Sequence, residues 1–215
     1  MRKLLVLAVV SLGFGFVGAS PSHATPIGPG PVPCATCQGS IYEISTTVLP
    51  LADIDPLHET WRITYTIDTA GYNGGGTHLD SVALKVSSGL FAASLFSAPG
   101  GTGSWNQVLG GINASGCSGS GSGFDCVEAT SIGTSPVVPG GTYTWVFDLT
   151  MDNGALFTGV DESSVKARYV DDAGTKVGAL VSEGITLTIV PEPSTALLVA
   201  LGGSILAARR SRRLQ

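Results

Sequence analysis

Apolar and polar residues alternate along several short segments between residues 40 and 190. The clearest is segment 61–68, whose sequence is W-R-I-T-Y-T-I-D. A repeat of two places successive side chains on opposite faces of a β-strand, with the apolar face toward a core. The same alternation predicts strands at 82–87, 143–150, 165–169 and 185–189, and segments 41–48 and 90–96 are further candidates.

Clusters of glycine, proline, asparagine and aspartate separate these segments, at 70–76, 99–101, 139–141, 152–154 and 171–174. These residues favour turns, and no segment between them has the 3.6-residue period of an amphipathic helix. Roughly seven to nine short strands with such turns predict an all-β fold, an antiparallel β-sandwich of Ig-like or jelly-roll-like type. We expect Trp61 and Trp145 in its core.

The N-terminus has the pattern of a secretory signal peptide. Arg2 and Lys3 precede an apolar run at 4–17, and small residues occupy the positions three and one before the bond between Ala24 and Thr25. This pattern predicts cleavage after Ala24. A first membrane span is the competing interpretation, but the run is short and proline-rich sequence follows it. The predicted organisation is a signal peptide at 1–24, a secreted domain at 25–190 and a tail at 191–215.

The tail combines a short motif, an apolar segment and a basic end. Pro191, Glu192 and Pro193 exclude a continuous helix, which can begin only at Ser194 and is predicted to run over 194–208. The almost wholly apolar run 195–208 has fourteen residues, which give roughly 21 Å of helix against a hydrocarbon core of about 30 Å, so we expect a marginal, temporary membrane span. The arginines expected to remain in the cytoplasm are Arg209, Arg210, Arg212 and Arg213.

This order of parts resembles a PEP-CTERM sorting signal. The resemblance covers only the tail, and it implies processing by an exosortase, a membrane-embedded enzyme of certain Gram-negative and related bacteria that often make exopolysaccharide. It implies a protein that is anchored transiently by the C-terminal helix and then reaches the cell surface or the extracellular matrix. The segment Cys34–Tyr42, together with the glycine-rich and cysteine-containing segment 110–126, also resembles a recurring group of exported proteins with this tail.

Charge is segregated along the chain. Residues 25–192 contain all 16 acidic residues but only five of the 11 basic ones, a net charge of −11. Phosphate contacts require basic patches, so a nucleic-acid partner is not expected. Acidic pairs at 53–55, 161–162 and 171–172 raise the question of calcium, but no segment matches the EF-hand pattern and we predict no metal site and no cofactor.

The chain has four cysteines, Cys34, Cys37, Cys117 and Cys126. In an oxidising compartment an even number predicts two disulfides, and of the three connectivities we favour the local one, which pairs Cys34 with Cys37 and Cys117 with Cys126. Cross-pairing is the alternative. The spacing does not match a zinc ribbon, and no βαβ pattern surrounds the C-x-x-C pair as a thioredoxin-like site would require.

No catalytic motif is visible. His58 and His78, the histidines of the predicted mature region, lie outside any metalloprotease pattern and are interpreted as polar turn residues; no serine lies in G-x-S-x-G. Tyr72 and Trp105 lie in glycine-rich loops, where they serve either to stack on a sugar or, as we favour, to anchor the loop. We therefore predict a structural or adhesive role linked to exopolysaccharide and no enzymatic activity. The alternatives are a carbohydrate-binding module and a secreted enzyme.

Overall fold

The computed structural model of the chain describes residues 22–30, 32–48, 57–86, 89–131, 135–152 and 163–188. These residues form strands and one short 3-10 turn at Thr102–Ser104, with no α-helix in the described ranges. The strands are β1 (Ser22–Ala24), β2 (Ile41–Val48), β3 (His58–Asp68), β4 (His78–Lys85), β5 (Leu90–Ser97), β6 (Trp105–Leu109), β7 (Ile112–Asn113), β8 (Gly116–Cys117), β9 (Phe124–Ala129), β10 (Thr142–Asp152), β11 (Ser164–Val170), β12 (Val181–Gly184) and β13 (Leu187–Thr188).

Two larger sheets carry most of these strands. Sheet A has the order β13-β1-β2-β3-β10-β5, and sheet B has the order β12-β11-β4-β9-β6. The hairpin β7-β8 forms a separate two-stranded sheet, and the strand pairs are antiparallel throughout. The prediction of an all-β fold is confirmed, and the two sheets enclose one apolar core as in a β-sandwich. The finer assignment to an Ig-like or jelly-roll-like topology stays a prediction.

The core lies between the inward faces of the two sheets. In sheet A, Trp145 is paired with Tyr65 and Phe147 with Ile63, and all four side chains are fully buried. Trp61 packs partly buried against the same core. From sheet B, the apolar residues that reach this core are Leu79, Val82, Leu84, Trp105, Val127, Ala129, Val165, Ala167, Tyr169 and Val181. Alternation in each strand thus supplies one apolar face per sheet.

A hydroxyl network joins the two sheets inside this core. The Tyr169 hydroxyl of sheet B lies 2.8 Å from Ser40 Oγ and 3.1 Å from the Tyr42 hydroxyl of sheet A. Burial raises the pKa of Tyr169 to about 12, so the phenol stays neutral at physiological pH. A neutral buried hydroxyl with hydrogen-bond partners costs far less to desolvate than an unpaired one.

Several predicted strand segments coincide with observed strands. Segment 41–48 has the bounds of β2, and segments 61–68, 143–150 and 165–169 lie within β3, β10 and β11. Segment 185–189 overlaps only β13, while β12 precedes it. His58 and His78 begin β3 and β4 and are strand residues, so their interpretation as turn residues is wrong.

The compact unit that contains the described residues runs from Pro21 to Val190. Within the described ranges no helix has the length and apolar character that a membrane crossing requires. The predicted helix at 194–208 and the N-terminal apolar run at 4–17 lie outside the described residues, as do the sorting residues Pro191, Glu192, Pro193, Arg209, Arg210, Arg212 and Arg213.

Candidate functional site

The glycine-rich loop, residues 110–123, folds over the outer face of sheet B. It contains the hairpin β7-β8 and is closed by hydrogen bonds from Gly111 N–H to the Ser120 carbonyl (2.7 Å) and from Ser118 N–H to the Gly111 carbonyl (2.9 Å). Ile112 packs there on Ala83 and Cys126. The apolar residues next to Ala83 and Cys126 in their strands belong to the main core instead. The loop therefore makes a second, smaller apolar cluster on the side of the sheet opposite the sandwich core.

Two disulfides brace the molecule. Cys34 is bonded to Cys37, and Cys117 in the glycine-rich loop is bonded to Cys126 in β9. These pairs are the local connectivity that the sequence favours. The second bond ties the loop directly to sheet B, because Cys126 lies opposite Ala83 of β4 and Val108 of β6.

A buried ion pair lies beneath the hairpin. The Arg168 side chain is 3% exposed and that of Asp80 is 0% exposed, and Arg168 Nη2 lies 3.1 Å from Asp80 Oδ2. Burial raises the pKa of Asp80 to about 6, and the Arg168 charge offsets part of that rise. Arg168 Nη1 also lies 3.7 Å from Glu128 Oε1, while Glu128 Oε2 accepts a hydrogen bond from Cys117 N–H. The ion pairs of Arg168 and the backbone of the hairpin are therefore joined in one cluster through Glu128.

Gly116 brings the hairpin close to this cluster. Its φ is +121°, and an added Cβ would lie 2.3 Å from Glu128 Oε1 and 2.6 Å from Arg168 Nη1. A side chain would be strained by the backbone conformation and would collide with the ion pair. Glycine at position 116 is thus favoured by its backbone conformation and by the close approach of backbone to charge, a reason that the sequence pattern does not show.

A cavity of about 300 Å³ lies where the glycine-rich loop meets the ends of β5 and β6. Leu90, Leu109 and Phe124 provide its apolar lining. The rest of the lining is formed by Ser122 and four glycines, Gly110, Gly119, Gly121 and Gly123. The Lys166 ammonium lies 4.4 Å from the centroid of the Phe124 ring, within reach of a cation–π contact. The cavity thus combines apolar surface with backbone polar groups and has a cation nearby.

Asp125, beside this cavity, is joined to sheet A through Gln107. Its side chain is fully buried, and Gln107 Nε2 donates to Asp125 Oδ2 over 2.6 Å while Gln107 Oε1 accepts from Leu95 N–H of sheet A over 2.9 Å. Burial raises the pKa of Asp125 to about 7, against the lowering effect of the Gln107 hydrogen bond. The carboxyl therefore titrates near physiological pH.

Trp105 is a buried anchor, which agrees with the interpretation we favour over sugar stacking. It is 5% exposed, its Nε1 donates to the Pro99 carbonyl over 2.8 Å, and its ring meets Trp145 edge-on at 5.3 Å. Tyr72 stacks on Tyr169 at 4.2 Å, and its hydroxyl accepts from Gly76 N–H. Both rings therefore fasten loops to the sandwich.

Among the described residues, the exposed aromatic rings lie elsewhere, on the edge strand β5. Phe91 and Phe96 are 59% and 57% exposed. Each occurs where the register with β10 shifts, so neither has a residue opposite it. The Arg62 guanidinium lies 3.5 Å above the Phe96 ring and forms a two-hydrogen-bond pair with Asp148. Segment 90–96 lacks clean alternation, and that irregularity is the sequence signal for these bulges.

The acidic residues considered for calcium have other roles or lie outside the described ranges. Asp171 Oδ1 accepts from the backbone N–H groups of Ala173 and Thr175, and exposed Asp172 lies 3.4 Å from His78 Nε2. Segments 53–55 and 161–162 are outside the described residues. In the part of the chain that the structure describes, no group of three or more His, Cys, Asp or Glu side chains could hold a metal.

Of the two residues that flank the predicted cleavage site, Ala24 is the last residue of β1 and Thr25 follows it. Ala24 is 3% exposed and belongs to the main core, and Thr25 N–H donates to the Thr186 carbonyl over 3.4 Å.

Comparison of the chain with models of protein families, with curated proteins and with solved structures finds no significant match.

Proposed function

We propose that the chain is an exported protein with a structural or adhesive role linked to exopolysaccharide, delivered to the cell surface or extracellular matrix by its tail. In this proposal residues 191–215 are a PEP-CTERM sorting signal processed by an exosortase in the membrane. The protein uses no cofactor and performs no catalysis. The signal peptide brings it across the inner membrane of a Gram-negative-type bacterium, and the C-terminal helix holds it there until it is cut.

The state of the cysteines supports export most directly. All four cysteines of the chain are paired in disulfides, and none is free. Disulfides persist in oxidising compartments and are rare in the reducing cytosol. The Cys117–Cys126 bond also holds the glycine-rich loop on sheet B, so the attachment of this loop depends on oxidation of the two cysteines.

Intact mass of the protein from an exosortase-containing bacterium tests the sorting step. We expect the native protein to have lost its tail, and a variant with serine in place of Arg209, Arg210, Arg212 and Arg213 to keep it, because the basic end no longer stops the helix at the membrane. A variant with serine in place of Lys176, a basic residue outside the tail, serves as control. A native protein that keeps the whole tail would refute the sorting proposal.

The cavity beside the glycine-rich loop favours a second candidate function, binding of the host's own exopolysaccharide. Sugar rings present C–H faces that pack on apolar side chains such as Leu109 and Phe124, and hydroxyls that pair with backbone groups. The disulfide and the loop's internal hydrogen bonds hold this surface in place before binding, which lowers the entropic cost of association.

Two glycine variants separate sugar binding at this cavity from a general effect on the loop. Gly119 lines the cavity and an added Cβ there meets no atom within 4 Å, so Gly119→Leu obstructs the cavity without strain. Gly103→Leu is the matched control, since Gly103 has equal room and does not line the cavity. We expect retention on immobilised exopolysaccharide by the native protein and by Gly103→Leu, with a loss of at least about tenfold for Gly119→Leu. Equal retention of both variants, or no retention of the native protein, would exclude this site.

A further inference from the structure

Strand β1 connects two strands of sheet A that otherwise have no link. On one side His23 is paired with Ser45 and Ser22 with Thr46 of β2. On the other side His23 and Ala24 are paired with Thr188 and Leu187 of β13. In the described part of sheet A, β1 is the strand to which β13 is hydrogen-bonded. Removing β1 would therefore detach β13 from the sheet.

The residues of β1 also contribute to the core. Ala24 is buried with Ile27 in the main apolar cluster. His23 Nδ1 lies 3.5 Å from Glu43 Oε1 on β2. The chain beyond β1 stays attached, since Ile27 and Tyr42 exchange two backbone hydrogen bonds of 3.0 and 2.8 Å. A cut after Ala24 would thus remove a paired strand and a core side chain from the domain.

Upstream of β1 the sequence contains a second bond that follows a small residue, with Val17 three positions before it. Gly18 and Ala19 follow Val17, the last residue of the apolar run, so Ala19 meets the requirement for a small residue before the cut. The compact unit begins at Pro21, two residues beyond that bond. Cleavage there leaves every described residue of the domain in the mature protein.

We propose that signal peptidase cuts the chain after Ala19 and that Ser22–Ala24 remain in the mature protein as the strand that joins β13 to β2. This inference rests on the proposed export and replaces the cleavage site that the sequence pattern favours, between Ala24 and Thr25. Sheet A then keeps its six strands. Because β13 is the last described strand before Pro191, the retained β1 also anchors the C-terminal end of the domain next to the sorting motif.

The N-terminal residue of the protein exported by its native host tests the site, by mass analysis of the N-terminal peptide. A start at Ser20 supports the proposal. A start at Thr25 overturns it while leaving export intact, whereas an unprocessed Met1 on all copies overturns both the site and export. The readout reports the cut directly and does not require a folded domain.

Two matched variants sharpen the assignment, since glutamine is too large for the position before the cut. Ala19→Gln is expected to abolish the Ser20 start, with a loss of at least about tenfold in that peptide, and Ala24→Gln to leave it unchanged. The reverse result, processing lost in Ala24→Gln and unchanged in Ala19→Gln, would overturn the proposal.

Discussion

Asp125 lies fully buried on β9 of sheet B, hydrogen-bonded to Gln107 of the edge strand β6, and its ionisation should cost folding free energy at neutral pH. Its pKa is about 7 in the folded protein against 3.8 for a free carboxyl. Each pKa unit corresponds to 1.36 kcal/mol, so the difference amounts to about 4 kcal/mol as an upper value. We predict that Asp125→Asn removes this pH-dependent cost, because the amide is neutral at every pH and its carbonyl can still accept the Gln107 hydrogen bond.

The sign follows from proton linkage. A carboxyl with a raised folded pKa binds more protons in the folded state between pH 3.8 and about 7, so the native protein loses stability as pH rises through that window. Below the window the cost is absent, and above it the cost is complete. Asp80, whose pKa is raised to about 6, also lowers the stability of the folded protein as pH rises. Because Asp80 is present in both proteins, its effect cancels in their difference.

Urea unfolding of the native protein and of Asp125→Asn at pH 4 and pH 8, with disulfides intact, measures this difference. We expect the variant's free energy of unfolding relative to the native protein to increase between the two pH values by up to about 4 kcal/mol. Asp172→Asn is the control, because that side chain is 81% exposed and its change should stay within about 1 kcal/mol. A relative stability of Asp125→Asn that changes by less than about 1 kcal/mol would refute the argument.

Three further changes probe the packing. Arg168→Met leaves Asp80 buried without its partner and should lower the free energy of unfolding in urea by about 3 to 5 kcal/mol. Adding Asp80→Leu to this variant should restore part of the lost stability. A loss below about 1 kcal/mol in Arg168→Met would contradict the role of the ion pair. Replacing Cys117 and Cys126 together by alanine should cost about 2 to 3 kcal/mol and increase hydrogen exchange in the glycine-rich loop, and unchanged exchange would show that the loop is held otherwise. Trp105→Ala should lower the free energy of unfolding by about 3 to 5 kcal/mol through loss of core packing, and a fully stable variant would return this ring to the sugar-contact interpretation.

The candidate site was predictable only in part. Cysteine spacing and export indicated a disulfide-closed glycine-rich loop at 110–126, and the structure contains it, although its last residues belong to β9. The Arg168–Asp80 pair joins residues 88 positions apart, and no local pattern indicates that both side chains are buried under a hairpin. The role of Trp105, the first residue of β6, likewise depended on its contacts with Pro99 and Trp145, so its glycine-rich sequence context left two interpretations open.

The all-β fold, the bounds of β2 and the faces of β3 and β10 were determined by the sequence alone, because the period of two is a local property that each strand carries in its own residues. Tertiary structure decided the rest: which strands are neighbours, that the glycine-rich loop covers the outer face of sheet B, and that Ser22–Ala24 act as a sheet strand. These features depend on pairing and burial between segments distant in the chain. Such contacts follow from how the sheets fill space around one core, and no short stretch of sequence contains that information.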